Sequence, residues 1–335
     1  LKKKKKGSTR KCRPLFLFVR AFHDRSMIDC DTPSFPGWLA DLERAANRGD
    51  GDAHLQMGRI FLAGRDMPRD LQRSRSHFAC AASLGNRAAI AVNRAFVANG
   101  TGGTPDWLKA VRLLEEDNGD LDAAEQLSLI AAMHLDDRGH PIAVPIGEVL
   151  NYTPHIVSFR NFVTDVEADF LAGRAASRFQ PALVVHPVTR LQVPDPIRTS
   201  DIAAFPLALE QPAIHAINLR IASASGTNVR AGEPLTILRY RPGQQYRPHL
   251  DPLPGERNQR VATMLIYLND GYGGGETYFP KLDLKVFARK GDALLFVNVR
   301  DDGQPEPLTL HEGVRVLAGE KLVASRWIRR EPIAL

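Results

Sequence analysis

Two hydrophobic patterns divide the chain. From residue 38 to 135, spaced large apolar residues alternate with alanine and glycine, and the segment matches itself at an offset of 36. Leu42 falls on Phe78, Ala53 on Ala89, Ile60 on Phe96, Gly64 on Gly100, Asp70 on Asp106 and Phe78 on Leu114. A period in the mid-thirties predicts stacked helical hairpins, in which small residues let helices approach closely and glycine ends each one. From Ile156 onward short β-branched or aromatic runs take over, at 235–240, 261–268, 294–299 and 322–328. Arg-Pro-Gly, Asp-Gly-Tyr-Gly-Gly-Gly and Lys-Gly-Asp separate them, which predicts antiparallel β-structure of the sandwich or barrel kind. Helices near 165–179 and 208–224 would pack outside it, and the turn-rich stretch 137–154 reads as a linker. The predicted class is α+β.

The 36-residue period resembles the Sel-like relatives of the tetratricopeptide repeat. That resemblance implies an α-solenoid over residues 34–136 whose surface recruits a peptide or protein; the plainer alternative is a set of helices that caps the following domain. His54, His77 and His134 fall inside the helical pattern and read as surface or satisfied histidines.

Charge changes the picture only at one end. The chain has 335 residues, 44 basic and 38 acidic, for a net charge of +6. Residues 2–6, all lysine, with Arg10, Lys11 and Arg13 supply eight of the positive charges, so the rest is close to neutral. Residues 1–33 are therefore expected to be a solvated, disordered basic tail, and no nucleic-acid partner is expected. The apolar run at 15–19 is too short for a signal core or a membrane span. Cys12, Cys30 and Cys80 are scattered, which suggests neither a disulfide framework nor a thiolate cage and fits a cytoplasmic location.

The chemistry gathers in the C-terminal half. His249 and Asp251 are separated by one residue in an extended context, so both side chains project to one face and can grip one metal. His311 is the only other histidine after residue 215. Two imidazoles and a carboxylate suit Fe(II) with open positions, but hydrolytic zinc uses the same donors. Lys321, ten residues after His311 at the start of a strand-like run, separates the two. A buried cation there needs an anionic partner, and a dicarboxylate co-substrate supplies one.

Around these residues the chain resembles the prolyl 4-hydroxylase family. Residues 237–251 (Ile-Leu-Arg-Tyr-Arg-Pro-Gly-Gln-Gln-Tyr-Arg-Pro-His-Leu-Asp) follow the family's first ligand strand, and residues 260–269, Gly274-Gly275-Glu276-Thr277, residues 290–294 and Gly319-Glu320-Lys321 continue it in order. The resemblance spans about 156–330 and implies a double-stranded β-helix, or jelly roll, over 155–335 with its core at 233–330. It implies Fe(II) on His249, Asp251 and His311, and 2-oxoglutarate on Lys321 with Tyr240 and Thr277. Dioxygen would be a co-substrate and ascorbate the rescuing reductant. Tyr246, Arg260 and Arg198 resemble the family's peptide-side residues. Leu322 and Arg329 depart from it, standing where many relatives carry Trp and His.

The implied activity is hydroxylation of an unactivated C–H in a prolyl peptide or protein, coupled to conversion of 2-oxoglutarate to succinate and CO2. The alternatives are the same chemistry on a free amino acid or small molecule, and a catalytically silent repeat scaffold.

Overall fold

The computed structural model describes residues 37–117, 119–185, 192–194 and 197–333; the expected basic tail, Cys12 and Cys30 lie outside them. Six helices come first: α1 (Gly37–Asn47), α2 (Gly51–Ala63), α3 (Leu71–Ser83), α4 (Arg87–Asn99), α5 (Trp107–Glu115) and α6 (Leu121–Ala132). The 36-residue offset places the start of α2 on that of α4 and the start of α3 on that of α5.

The local chemistry repeats with it. Asp70 and Asp106 each cap a helix by accepting from the backbone N–H three residues on, which satisfies a donor the first turn leaves open. Gly64 and Gly100 both take positive φ after their helices, at +64° and +77°, a conformation that costs glycine little. Gly58 of α2 faces the Phe78 ring of α3 so closely that a Cβ would lie 3.0 Å from it.

The chain divides into two compact units inside α4, at Ile90/Ala91, and not in the 137–154 stretch where the sequence suggests a linker. In the first, Leu39, Met57 and Phe61 form a small core. The second unites the later helices with all of the β-structure. Val97, Ala98, Trp107, Ala110, Leu129 and Met133 share one buried cluster with Phe159, Phe170, Ile214 and Ile237. Over residues 91–136 the helices pack as the capping alternative has it: their apolar faces complete the core of the β-unit.

The second unit continues with β1 (Glu148–Asn151), β2 (Ile156–Phe159), α7 (Asp165–Ala176), β3 (Gln180–Pro181), β4 (Leu183–Val185), β5 (Gln192–Pro194), β6 (Asp201–Phe205) and α8 (Pro212–Ser225). A capping box at Thr164 and Glu167 starts α7, and Pro212 followed by Gly226 brackets α8. Then come β7 (Leu235–Tyr240), β8 (Tyr246–His249), β9 (Arg260–Tyr267), β10 (Gly273–Gly274), β11 (Thr277–Phe279), β12 (Leu284–Val286), β13 (Ala293–Val297), β14 (His311–Gly313), β15 (Val316–Ala318) and β16 (Lys321–Arg329).

The main sheet has eight strands in the order β1-β2-β13-β9-β16-β7-β6-β3, and a smaller one runs β12-β11-β14-β8. All their pairings are antiparallel, and the fold is the expected jelly roll. One face of the main sheet packs on α7 and α8. The other carries Leu238, Tyr240, Leu265, Tyr267 and Val323, which share a core with Phe279 of the small sheet. No helix among the described residues is long and apolar enough to cross a membrane.

Candidate active site

Strand register assembles the site. His249 ends β8 and His311 opens β14, and the two are opposite each other in the ladder, with ring centroids 4.2 Å apart. Asp251 follows His249 by two residues and brings Oδ1 to 3.6 Å from His249 Nε2 and Oδ2 to 4.0 Å from His311 Nε2. One ligand atom from each of the three lies within 4.8 Å of the others, and no other such group of three occurs among the described residues. The predicted triad is thus brought together by backbone geometry alone.

Hydrogen bonds select which nitrogen faces inward. His249 Nδ1–H donates to Arg247 O at 2.8 Å and His311 Nδ1–H to Thr309 O at 3.0 Å, so both Nε2 lone pairs point at Asp251. Burial, reinforced by the neighbouring His311, pushes the His249 imidazole down to about 4, which keeps it in the neutral form that a metal needs. Burial alone would raise the Asp251 carboxyl, but the two imidazoles and the Thr263 hydroxyl outweigh it and hold the group below its ordinary value. His249 Nε2 is buried without a protein partner. An orphaned lone pair beside a carboxylate and a second imidazole is the donor set of a divalent cation, so these residues fit Fe(II).

Lys321 lies on the other side of the pocket. It opens β16 directly opposite Tyr240 of β7, is 2% exposed, and donates from Nζ to Gly275 O at 2.6 Å. Its Nζ lies 5.3 Å from the Tyr267 ring centroid and 5.8 Å from that of Tyr240. Burial pushes its ammonium down to about 8, against the pull of Glu276. The pocket that holds the triad is lined by Lys321, Tyr240 and Thr277 as well. A cation, the Tyr240 phenol and a threonine hydroxyl lining one pocket with a metal triad fit the far carboxylate of a dicarboxylate.

The three expected peptide-side residues separate in role. The Tyr246 ring stacks on His249 at 3.4 Å between centroids, and the Arg198 guanidinium lies 5.4 Å from the Tyr246 centroid. Arg260 instead makes a two-pronged ion pair with Glu233, at 2.7 and 2.8 Å, and lies 4.2 Å from the Trp327 ring centroid. Trp327 lines the pocket, so Arg260 reaches the site through the indole and through a hydrogen bond from NH1 to the Asp251 carbonyl at 3.5 Å. Arg329 also pairs with Glu233, at 2.5 Å, and Leu322 turns to the helix side of the sheet, beside the main core.

Sequence reasoning overlooked three polar residues. Tyr267 hydrogen bonds through its hydroxyl with Thr277 Oγ1 at 2.8 Å, Thr263 donates to Asp251 Oδ2 at 2.5 Å, and Asn298 donates to Thr263 at 2.8 Å. For Thr263 and Tyr267 the available signal was the period of two along β9, which puts them with Leu265 on one face of the strand; Asn298, just past β13, carries no such signal.

Residues 235–329 match the model of the 2OG-Fe(II) oxygenase superfamily. The chain is 38% identical over 204 residues to Prolyl 4-hydroxylase 1 of Arabidopsis thaliana, covering 55% of this chain and 72% of that one. Prolyl 4-hydroxylase subunit alpha-1 of Homo sapiens is 30% identical over 184 residues, 52% of this chain and 34% of its own. Among solved structures, the viral collagen prolyl hydroxylase of Paramecium Bursaria Chlorella virus-1, as its 2OG complex, aligns at 28% identity over 52% of this chain and 95% of that one, with a TM-score of 0.42. The protein belongs to the prolyl 4-hydroxylase family of Fe(II)- and 2-oxoglutarate-dependent oxygenases.

Proposed function

We propose that the chain hydroxylates a prolyl residue within a peptide or protein. The observation that carries this reading is the open His249–Asp251–His311 triad facing the buried Lys321 in one pocket, in a chain that spans most of a plant prolyl 4-hydroxylase. Bound Fe(II), 2-oxoglutarate and dioxygen would supply the oxidation of an unactivated C–H, with succinate and CO2 as co-products.

The protein's own residues provide geometry. His249, Asp251 and His311 hold the metal on one side and leave its other side open. Lys321, Tyr240, Thr277 and Tyr267 hold the far carboxylate of 2-oxoglutarate by charge and hydrogen bonds. Tyr246 and Arg198 offer a substrate ring an aromatic face and a cation at the mouth, and Arg260 sets that wall through Trp327. The apolar Leu238, Leu265 and Val323 exclude water from the pocket.

Three further parts of the proposal rest on pattern and family resemblance. The helical repeats recruit the protein substrate, ascorbate restores the metal after unproductive turnover, and the scattered cysteines fit a cytoplasmic setting. The test is succinate formation by the Fe(II)-loaded chain with and without a library of proline-containing peptides, with mass spectrometry for the gain of one oxygen. Peptide-dependent turnover with oxygen on proline is expected; turnover stimulated only by free amino acids would refute the peptide reading.

A further inference from the structure

Asn298, directly after β13, connects with both halves of the triad. Its side-chain Nδ2 donates to Thr263 Oγ1 at 2.8 Å, and Thr263 in turn donates to Asp251 Oδ2 at 2.5 Å. Its backbone N–H donates to Val261 O on β9, and its carbonyl accepts from Glu306 N at 2.9 Å. Glu306 carries the connection on: its carbonyl accepts from Thr309 Oγ1 at 2.7 Å, and Thr309 O accepts from His311 Nδ1. Asn298, Thr263, Asp251, Thr309 and His311 are all buried.

A hydroxyl has one proton, so the direction of the Thr263 hydrogen bond is decided by its neighbours. The Asn298 amide donates to Thr263, which leaves that proton free for Asp251. The reverse amide orientation would draw the proton away and set two lone pairs 2.5 Å apart on a buried carboxylate. The orientation with Nδ2 toward Thr263 leaves Asn298 Oδ1 buried without a partner, an unsatisfied acceptor that a residue serving only the fold would seldom retain.

We propose that Asn298 is a positioning residue for the metal. Through Thr263 its side chain commits a lone pair of Asp251 Oδ2 and so fixes the carboxylate's rotation, while its backbone carbonyl, which no side-chain substitution removes, holds Glu306 and the turn before His311. The inference rests on the reading of the triad as a metal site. Neither Asn298 nor Thr263 touches the metal or substrate in this scheme.

The test titrates the metal-free full chain with Co(II), following its visible absorption, and records the melting temperature without metal. Removing such supporting hydrogen bonds typically weakens metal binding about 10- to 100-fold, so Thr263→Val and Asn298→Asp are each expected to lose affinity in that range. Thr263→Ser, which restores the hydroxyl, should bind within about threefold of wild type on the same scale. Because the Asn298 side chain reaches Asp251 through Thr263, the double variant Thr263→Val/Asn298→Asp should bind no more weakly than Thr263→Val. Unchanged Co(II) affinity in Asn298→Asp, or losses that simply add in the double variant, overturns the proposal. Asn298→Asp carries the test alone if Thr263→Val does not fold. A wild-type chain that takes up no Co(II) overturns the metal reading itself, and is recognised because His249→Ala then changes nothing.

Discussion

His249 and His311 are cross-strand partners, and each donates Nδ1–H to the carbonyl two residues before it, Arg247 O and Thr309 O. The same local device on two antiparallel strands therefore aims two Nε2 atoms at one point from opposite directions. Asp251 closes the set because it follows His249 at the spacing that keeps both side chains on one face. The two imidazoles are held by separate strands and Asp251, just past the end of β8, by the Thr263 hydroxyl of β9, so losing one donor leaves the supports of the other two in place.

The first prediction follows from that independence. His311→Ala should abolish Fe(II) binding and 2-oxoglutarate turnover while the metal-free chain still folds, with a melting temperature lowered by the cavity the buried ring leaves beside Phe296 and Phe279. Metal uptake by equilibrium dialysis and circular dichroism together check it. Retained turnover would remove His311 from the ligand set.

Lys321 gives a prediction with a pH sign. Removing one partner of a buried ion pair costs about 3 to 5 kcal/mol, and each 1.4 kcal/mol is a tenfold change, so Lys321→Ala should weaken 2-oxoglutarate binding by about two to three and a half powers of ten. In the protein without co-substrate, burial lowers the ammonium from 10.5 to about 8. A lysine with a lowered folded-state value is neutral in the fold while still charged in the unfolded chain between these two points, so stability should rise from pH 8 to about 10.5. The binding of a carboxylate needs the charged form and should weaken as pH passes 8. A 2-oxoglutarate affinity that is flat from pH 7 to 9.5 would count against this anchor.

The parts legible in the sequence are those fixed by local chemistry. Asp70 and Asp106 mark helix starts because a capping carboxylate acts within three residues, and His249 with Asp251 mark a metal grip because the strand period is two. The break at Ile90 was not legible. The apolar residues of α4, α5 and α6 announce a buried face, but nothing local says whether a repeat or a β-sheet will cover it. Tyr267, Thr263 and Asn298 were hidden for a similar reason: a threonine or tyrosine on a strand is ordinary until a partner 10 to 35 residues away is placed beside it. The pairing of Arg260 with Glu233, 27 residues earlier, is likewise visible only in the fold.

The shared core yields a stability prediction. Trp107 is 6% exposed and belongs to the main cluster of the β-unit, and Gly139, at φ +83°, lies so close that a Cβ would sit 2.6 Å from the indole. Trp107→Ala should cost about 3 to 5 kcal/mol, and Gly139→Ala should be destabilising through both strain and clash. A chain beginning at Pro154 would lack α4, α5 and α6 and expose the apolar surface they cover, so it should aggregate. Recovery of that truncated chain as a soluble monomer with a wild-type melting temperature would show that these helices are dispensable.

The last prediction concerns Arg329, where the family resemblance breaks. Its Nε pairs with Glu233 at 2.5 Å and its NH1 donates to Asn258 O at 2.7 Å. Asn258 and Glu331 exchange two further hydrogen bonds, and Arg330 N donates to Gln259 O. Gln259 holds Leu253 through both its amide oxygen and its amide nitrogen. The loop that follows Asp251 is thereby tied to the end of β16, beside the wall formed by Arg260 and Trp327. Arg329→His should loosen this tie, because an imidazole is shorter and cannot supply the guanidinium's divergent donors. Proteolysis within residues 252–259 should then quicken, and the KM for a peptide substrate should rise several-fold while that for 2-oxoglutarate stays the same, since Lys321 lies at the far end of the same strand. Glu233→Gln should act in the same direction and also destabilise the fold, because Arg260 loses its counter-ion and Arg329 keeps only the more distant Glu256, at 4.0 Å; the side chains are about 15% exposed, so solvent screening keeps that cost to roughly 3 kcal/mol or less. Limited proteolysis run beside peptide kinetics decides the matter: a loop no more accessible in Arg329→His than in wild type, with an unchanged peptide KM, would mean that the arginine only decorates the sheet end.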